Sequence, residues 1–133
     1  MTKHSGSCLC KKVSFEFSGD FKKFFFCHCS RCRKDSGSAY ASNLFIKSSD
    51  FKWVDGKEYL KSYKVPDTRF ESSFCTECGS KLPTLKDDHL VKVPAGCLDT
   101  EVDLTPNGHI FMASKAQWED TLCRAQCFED FPS

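Results

Sequence analysis

The segment Cys27-His28-Cys29-Ser30-Arg31-Cys32-Arg33 packs three cysteines into six residues, directly after the aromatic run Phe24-Phe25-Phe26. Side chains two apart on an extended backbone face the same side, so Cys27 and Cys29 point together, and a turn can bring the Cys32 sulfur back to meet them. A disulfide between Cys27 and Cys29 would close a very small ring under strain, and no disulfide uses three sulfurs. One metal ion does. Zinc suits the set because it accepts thiolates in a tetrahedron and imposes no orbital preference of its own. A fourth protein ligand would make the site structural; its absence would leave a position for chemistry.

Two further half-sites flank this element. Ser7-Cys8-Leu9-Cys10 directs two sulfurs the same way off an extended backbone. Cys75-Thr76-Glu77-Cys78-Gly79 has the spacing of a zinc knuckle, in which Gly79 can take the positive φ that turns N–H groups towards sulfur. A redox reading of Cys75-x-x-Cys78 requires a helix N-terminus within a βαβ setting, which the flanking sequence does not suggest. Two-plus-two closure then joins Cys8, Cys10, Cys75 and Cys78 into a four-thiolate staple. Cys27, Cys29 and Cys32 keep a vacant fourth position unless Cys97 or a histidine fills it.

Ten cysteines in 133 residues fall just short of the roughly 8–10% that marks a secreted disulfide scaffold. The start, Met1 to Gly6, has no apolar run to serve as a signal peptide, and no later stretch approaches a membrane span. A reducing cytoplasm is therefore the expected compartment, where clustered cysteines read as metal ligands before disulfides. With 19 Lys plus Arg against 18 Asp plus Glu, nothing marks a nucleic-acid or anionic-membrane surface. The length predicts one domain spanning residues 1–133, marginal without reinforcement.

Local patterning predicts a mainly β fold of short strands. Val13, Phe15 and Phe17 alternate with Ser14, Glu16 and Ser18, up to Gly19-Asp20. Further strands are expected over Phe21–Phe26, Ala39–Ile46, Phe51–Val54, Tyr59–Val65, Leu82–Leu85, His89–Val93 and His109–Met112. Lys34 to Ser38 reads as a polar turn, whose amides could also serve sulfur or a substrate oxygen. In the tail, Trp118 and Phe128 are expected to pack. Cys123 and Cys127, spaced i,i+4, have no matching pair and are expected as structural or free thiols, and Cys97 as a small buried residue.

Three thiolates on a dication leave about one net negative charge, which makes a poor water activator. Binding an incoming thiol as thiolate is the more natural use. That sulfur could attack a small carbonyl carbon or, in reverse, leave a thiohemiacetal. Arg31, Arg33 and Lys34 either offset the charge and hold substrate carboxylates or are ordinary surface cations. His28, between two ligands, should point away from the metal.

The ordered motifs Gly6-Ser7-Cys8-Leu9-Cys10, Cys27 to Arg33 with Ser36-Gly37-Ser38, Cys75 to Ser80, Gly96-Cys97-Leu98-Asp99, and His109-Ile110-Phe111 with Ser114 to Trp118 resemble the family of glutathione-dependent formaldehyde-activating enzymes and centromere protein V. The resemblance implies a β-tent fold and two Zn2+ per chain, one structural on Cys8, Cys10, Cys75 and Cys78 and one catalytic on Cys27, Cys29 and Cys32. It implies a carbon–sulfur lyase that forms or splits S-(hydroxymethyl)glutathione. The implied partner is a small thiol such as glutathione; a homodimer is left open. Its centromere branch suggests the rival reading of a non-enzymatic, zinc-stabilised protein-binding module. Lys11 departs from the pattern, standing where a glycine often follows the second cysteine.

Overall fold

The computed structural model describes residues 3–132 apart from 22, 88, 102 and 104. Among these residues eleven strands are distributed over three sheets. The first sheet joins β1 (Lys3–Ser7), β2 (Ser14–Ser18) and β5 (Phe51–Asp55) in the order β1-β2-β5. The second contains β3 (Lys23–Cys27), β4 (Ala41–Lys47), β9 (Thr84–Leu85), β10 (Leu90–Pro94) and β11 (Gly108–Ile110), ordered β11-β3-β4-β10-β9. A third sheet is β6 (Leu60–Lys64), β7 (Glu71–Cys75) and β8 (Lys81–Leu82). All pairings are antiparallel except β11 with β3, which is parallel.

Period-two alternation decides what each face of the second sheet does. Leu44, Ile46, Val91 and Val93 are buried and join Phe15 and Phe17 of β2, Val13, Leu82 and the sulfurs of Cys8 and Cys75 in the core. The register sets Phe25 opposite Asn43, Phe45 opposite Lys92, and Cys27 beside Ala41 and Ile110. These residues share the other face, so the strand that ends in Cys27 presents its sulfur beside apolar rings and one lysine.

Several sequence expectations shift. β1 was not anticipated, because Lys-His-Ser-Gly-Ser lacks apolar alternation; its inward positions are His4, stacked 5.3 Å from the Phe17 ring, and Gly6. Nor does the sequence predict β7, since its buried positions include Ser72, whose hydroxyl donates to the Asp35 carboxylate, and Ser73, whose hydroxyl meets that of Ser62. The turn expected after Cys29 is a short helix, α1 (Ser30–Ser36), so Lys34 to Ser36 are helical and only Gly37, left-handed at φ 65°, ends it. The expected Phe21–Phe26 strand runs from Lys23 to Cys27, and residue 22 lies outside the described residues. The Leu82–Leu85 strand is broken at Pro83, which has no N–H for the ladder. The last strand stops at Ile110 because Phe111 turns left-handed, at φ 58°.

In the tail, Gln117–Arg124 forms a 3-10 helix with no buried residue. Trp118 and Phe128 are 55% and 48% exposed, contrary to their expected packing role. Cys123 and Cys127 are exposed and do not share a helical face, since the helix ends before Cys127. Among the described residues, no helix is long and apolar enough to cross a membrane.

Candidate metal centre

The ten cysteines form no disulfide, and seven of them converge in two groups whose sulfurs lie within 4.8 Å of one another. One group is Cys8, Cys10, Cys75 and Cys78; the other is Cys27, Cys29 and Cys32. Zinc–sulfur bonds of about 2.3 Å in a tetrahedron require sulfurs roughly 3.8 Å apart. Cys8 and Cys10 are 3.6 Å apart and Cys10 and Cys75 are 3.9 Å apart, so the four-sulfur group fits a zinc ion.

Two tight turns hold the four sulfurs. Cys8 and Cys10 lie in a turn, not on the extended backbone expected of them: the Cys8 carbonyl accepts from the Lys11 N–H at 3.0 Å. Lys11 is left-handed there, at φ 67°. In the second turn the Gly79 N–H donates to the Cys75 carbonyl at 2.8 Å, with Gly79 at φ 76°. Both loops therefore exit through a positive-φ residue, which explains the preference for glycine at the position Lys11 occupies. Amides of Val13 and Glu77 donate to the Cys8 and Cys75 sulfurs at 3.3 and 3.4 Å. Ser80 links the loops, its Oγ accepting from the Leu9 N–H at 2.9 Å and lying 3.4 Å from the Cys78 sulfur. Hydrogen bonds from the Ser80 side chain and amide hold Cys78 down at about 5. For Cys10 the Lys12 amide favours thiolate, but burial and the sulfurs of Cys8, Cys78 and Cys75 push it up to about 11. Such a set releases protons as metal enters.

The three-sulfur group is assembled locally. Cys27 ends β3, Cys29 caps α1 by accepting the Cys32 N–H at 3.3 Å, and Cys32 is the buried residue of that helix. Burial drives Cys27 and Cys32 above the ordinary thiol value. Burial also raises Cys29, but the Cys32 amide, the sulfurs of Cys32 and Cys27, and the Arg31 amide outweigh it and hold Cys29 low. No other described His, Cys, Asp or Glu joins the group. The half-buried Cys97 donates its S–H to the Pro94 carbonyl at 2.9 Å, and burial pushes it to about 12. His109 Nδ1 instead meets His28 Nε2 at 2.8 Å.

These sulfurs open into a cavity of about 300 Å3. Its walls include Phe25, Phe45, Phe70 and Phe111, and four cations reach it: Arg31, Arg69, Lys86 and Lys92. Of the expected basic residues only Arg31 lines it; Arg33 and Lys34 do not. The turn at Ser36 to Ser38 sends no amide to sulfur. Its Gly37 N–H returns to the Arg33 carbonyl at 2.9 Å.

His28 points to the opposite side of β3 and is fully buried. Its Nδ1 lies 2.7 Å from Glu119 Oε1, and neither atom has another hydrogen-bond partner. Burial lowers the His28 pKa against the opposing pull of Glu119. The C-terminal segment is thus pinned to the back of the sulfur-bearing strand.

Sequence reasoning missed Lys92, Arg69, Phe70 and Glu119. Lys92 had a visible signal: a charge at the middle of Leu-Val-Lys-Val-Pro, on the face opposite the buried valines. The others come from loops or the tail, where no periodicity points.

Comparison with known proteins is consistent with this arrangement. Residues 3–114 match the model of the glutathione-dependent formaldehyde-activating enzyme family. A crystal structure of a Rhodobacter sphaeroides protein superposes with a TM-score of 0.63 at 24% identity, covering 79% of this chain and 98% of that one, which supports the fold.

Proposed function

The chain belongs to the glutathione-dependent formaldehyde-activating enzyme family, and from this we propose that residues 1–133 act as one zinc-binding domain with carbon–sulfur lyase activity on a small thiol–aldehyde adduct such as S-(hydroxymethyl)glutathione. Zinc on Cys8, Cys10, Cys75 and Cys78 would be structural. A second zinc on Cys27, Cys29 and Cys32 would supply a soft acceptor that favours the thiolate form of a bound thiol.

One observation carries the reading: three sulfurs, with no fourth ligand among the described residues, line a cavity with aromatic walls and a cationic rim. Glutathione has two carboxylates and a slender peptide body. Arg31, Arg69 and Lys86 can receive the carboxylates while the phenylalanines cover the peptide backbone. In one direction the sulfur lone pair forms a bond to the aldehyde carbon and the carbonyl pair moves to oxygen, which takes a proton. In the other, oxygen loses that proton, the carbonyl re-forms and the carbon–sulfur pair leaves on sulfur.

The test is exchange spectroscopy by NMR on glutathione, formaldehyde and their adduct, with zinc-loaded protein. Acceleration over the spontaneous exchange, lost in Cys29→Ser, is the expected result. Thiol capture without acceleration would make the chain a binding module instead.

A further inference from the structure

Of the four cations lining the sulfur cavity, Lys92 is the one that a strand holds in place. It occupies β10 directly opposite Phe45, on the same face as Cys27, and it lines both the sulfur cavity and a smaller one of about 200 Å3 beyond Cys32. Its Nζ donates to the Glu71 carbonyl at 2.9 Å and stands 4.8 Å from the Phe70 ring centroid. An ammonium has three N–H donors, and one is engaged by that carbonyl. Burial lowers its pKa and Lys86 adds to the effect, while Cys32, Asp35 and Cys27 oppose it. A largely buried cation needs a nearby negative charge, and the groups facing it are the sulfurs of Cys32 and Cys27, which metal binding would deprotonate, and Asp35, whose carboxylate Lys81 already pairs.

Resting on the lyase reading above, we propose that Lys92 is a catalytic residue that donates a hydrogen bond to the oxygen of the thiol–aldehyde adduct while the adduct's sulfur sits among Cys27, Cys29 and Cys32. During addition the carbonyl π pair becomes an alkoxide, which Lys92 stabilises before water supplies the proton. During cleavage the hydroxyl proton returns to water, Lys92 holds the alkoxide, and the carbon–sulfur pair departs on sulfur. Lys92 therefore acts where charge develops, in a site walled by aromatic rings. Arg31, Arg69 and Lys86 serve the far end of the substrate.

Thioacetate tests this without turnover, because its oxygen, on the carbon bonded to sulfur, shares the anion's negative charge and stands where the alkoxide oxygen would; ethanethiol offers sulfur alone. Zinc-loaded wild type, Lys92→Met and Lys92→Arg are titrated with each by calorimetry, with thermal melts to confirm folding. Lys92→Met is expected to weaken thioacetate about tenfold or more, as loss of a hydrogen bond to a charged group does. Ethanethiol should weaken by less than about threefold, since it has no oxygen for that bond, and Lys92→Arg should recover part of the thioacetate affinity. In the exchange assay kcat should fall with KM little changed. Equal weakening of both ligands, or none, overturns the role of Lys92 and leaves the lyase reading standing. Wild type that binds neither ligand overturns both. If Lys92→Met does not fold, equal weakening of both ligands, or of neither, in the folded Lys92→Gln overturns the role.

Discussion

The four-sulfur and three-sulfur groups use the same ligand and differ in almost everything that surrounds it. The first gathers sulfurs from loops some 65 residues apart in sequence, with backbone amides and Ser80 donating around them. It joins the turn after β1 to the turn after β7, and two of its sulfurs belong to the hydrophobic core. The second takes its sulfurs from one strand end and one helical turn, closes no long loop, and faces a cavity. A cross-link between distant segments contributes to folding; a local cluster beside an opening can be spared by the fold and used for chemistry.

Breaking each group in turn should expose that difference. Cys75→Ser removes a fully buried sulfur from the cross-link. Structural zinc in small peptides contributes on the order of 10 kcal/mol or more, comparable with a whole domain's stability. Loss of the cooperative thermal transition by circular dichroism is the expected outcome; a normal melt would erase the contrast. Cys29→Ser should keep the melt nearly intact and lower adduct exchange by about a hundredfold or more, exceeding what loss of an outer-shell partner costs. If both variants unfold alike, the two groups are both structural.

Smaller changes refine the comparison. Glu119→Ala leaves the buried His28 ring without its carboxylate and should cost about 1–3 kcal/mol in urea unfolding. That would place the support of the three-sulfur strand in the packing behind it. The two loop exits of the four-sulfur group offer the finest probe. A Cβ at Gly79 would meet no atom within 4 Å, so Gly79→Ala should cost only its backbone penalty, about 1 kcal/mol. Lys11→Gly should move stability the opposite way by up to about 1 kcal/mol, because Lys11 already bears that penalty. The same sign for both would show that positive φ is not what limits these turns.

The cysteine groups were legible because sulfur spacing is local chemistry, and the mainly β character because Phe15, Phe17, Val91 and Val93 alternate cleanly. Helix α1 was not: seven residues with one buried side chain offer no helical period, and its N-cap is a cysteine sulfur. Nor were the cavity walls, since Phe70 and Arg69 come to line the sulfur cavity only once β7 and β10 have set the chain's course. Trp118 and Phe128 misled because aromatic residues usually pack, and here the tail holds on through Glu119 instead.

The parallel pairing of β11 with β3 also imposes a timetable on biosynthesis. The last of the four-sulfur ligands emerges from the ribosome with residue 78, early enough for that cross-link to form on a nascent chain. Cys27 waits for Ile110 to lie beside it, and His28 for Glu119, so the three-sulfur group reaches its final setting only after residues well beyond the four-sulfur group have been made. Until then the three sulfurs stand without the strand and the carboxylate that flank them in the folded chain.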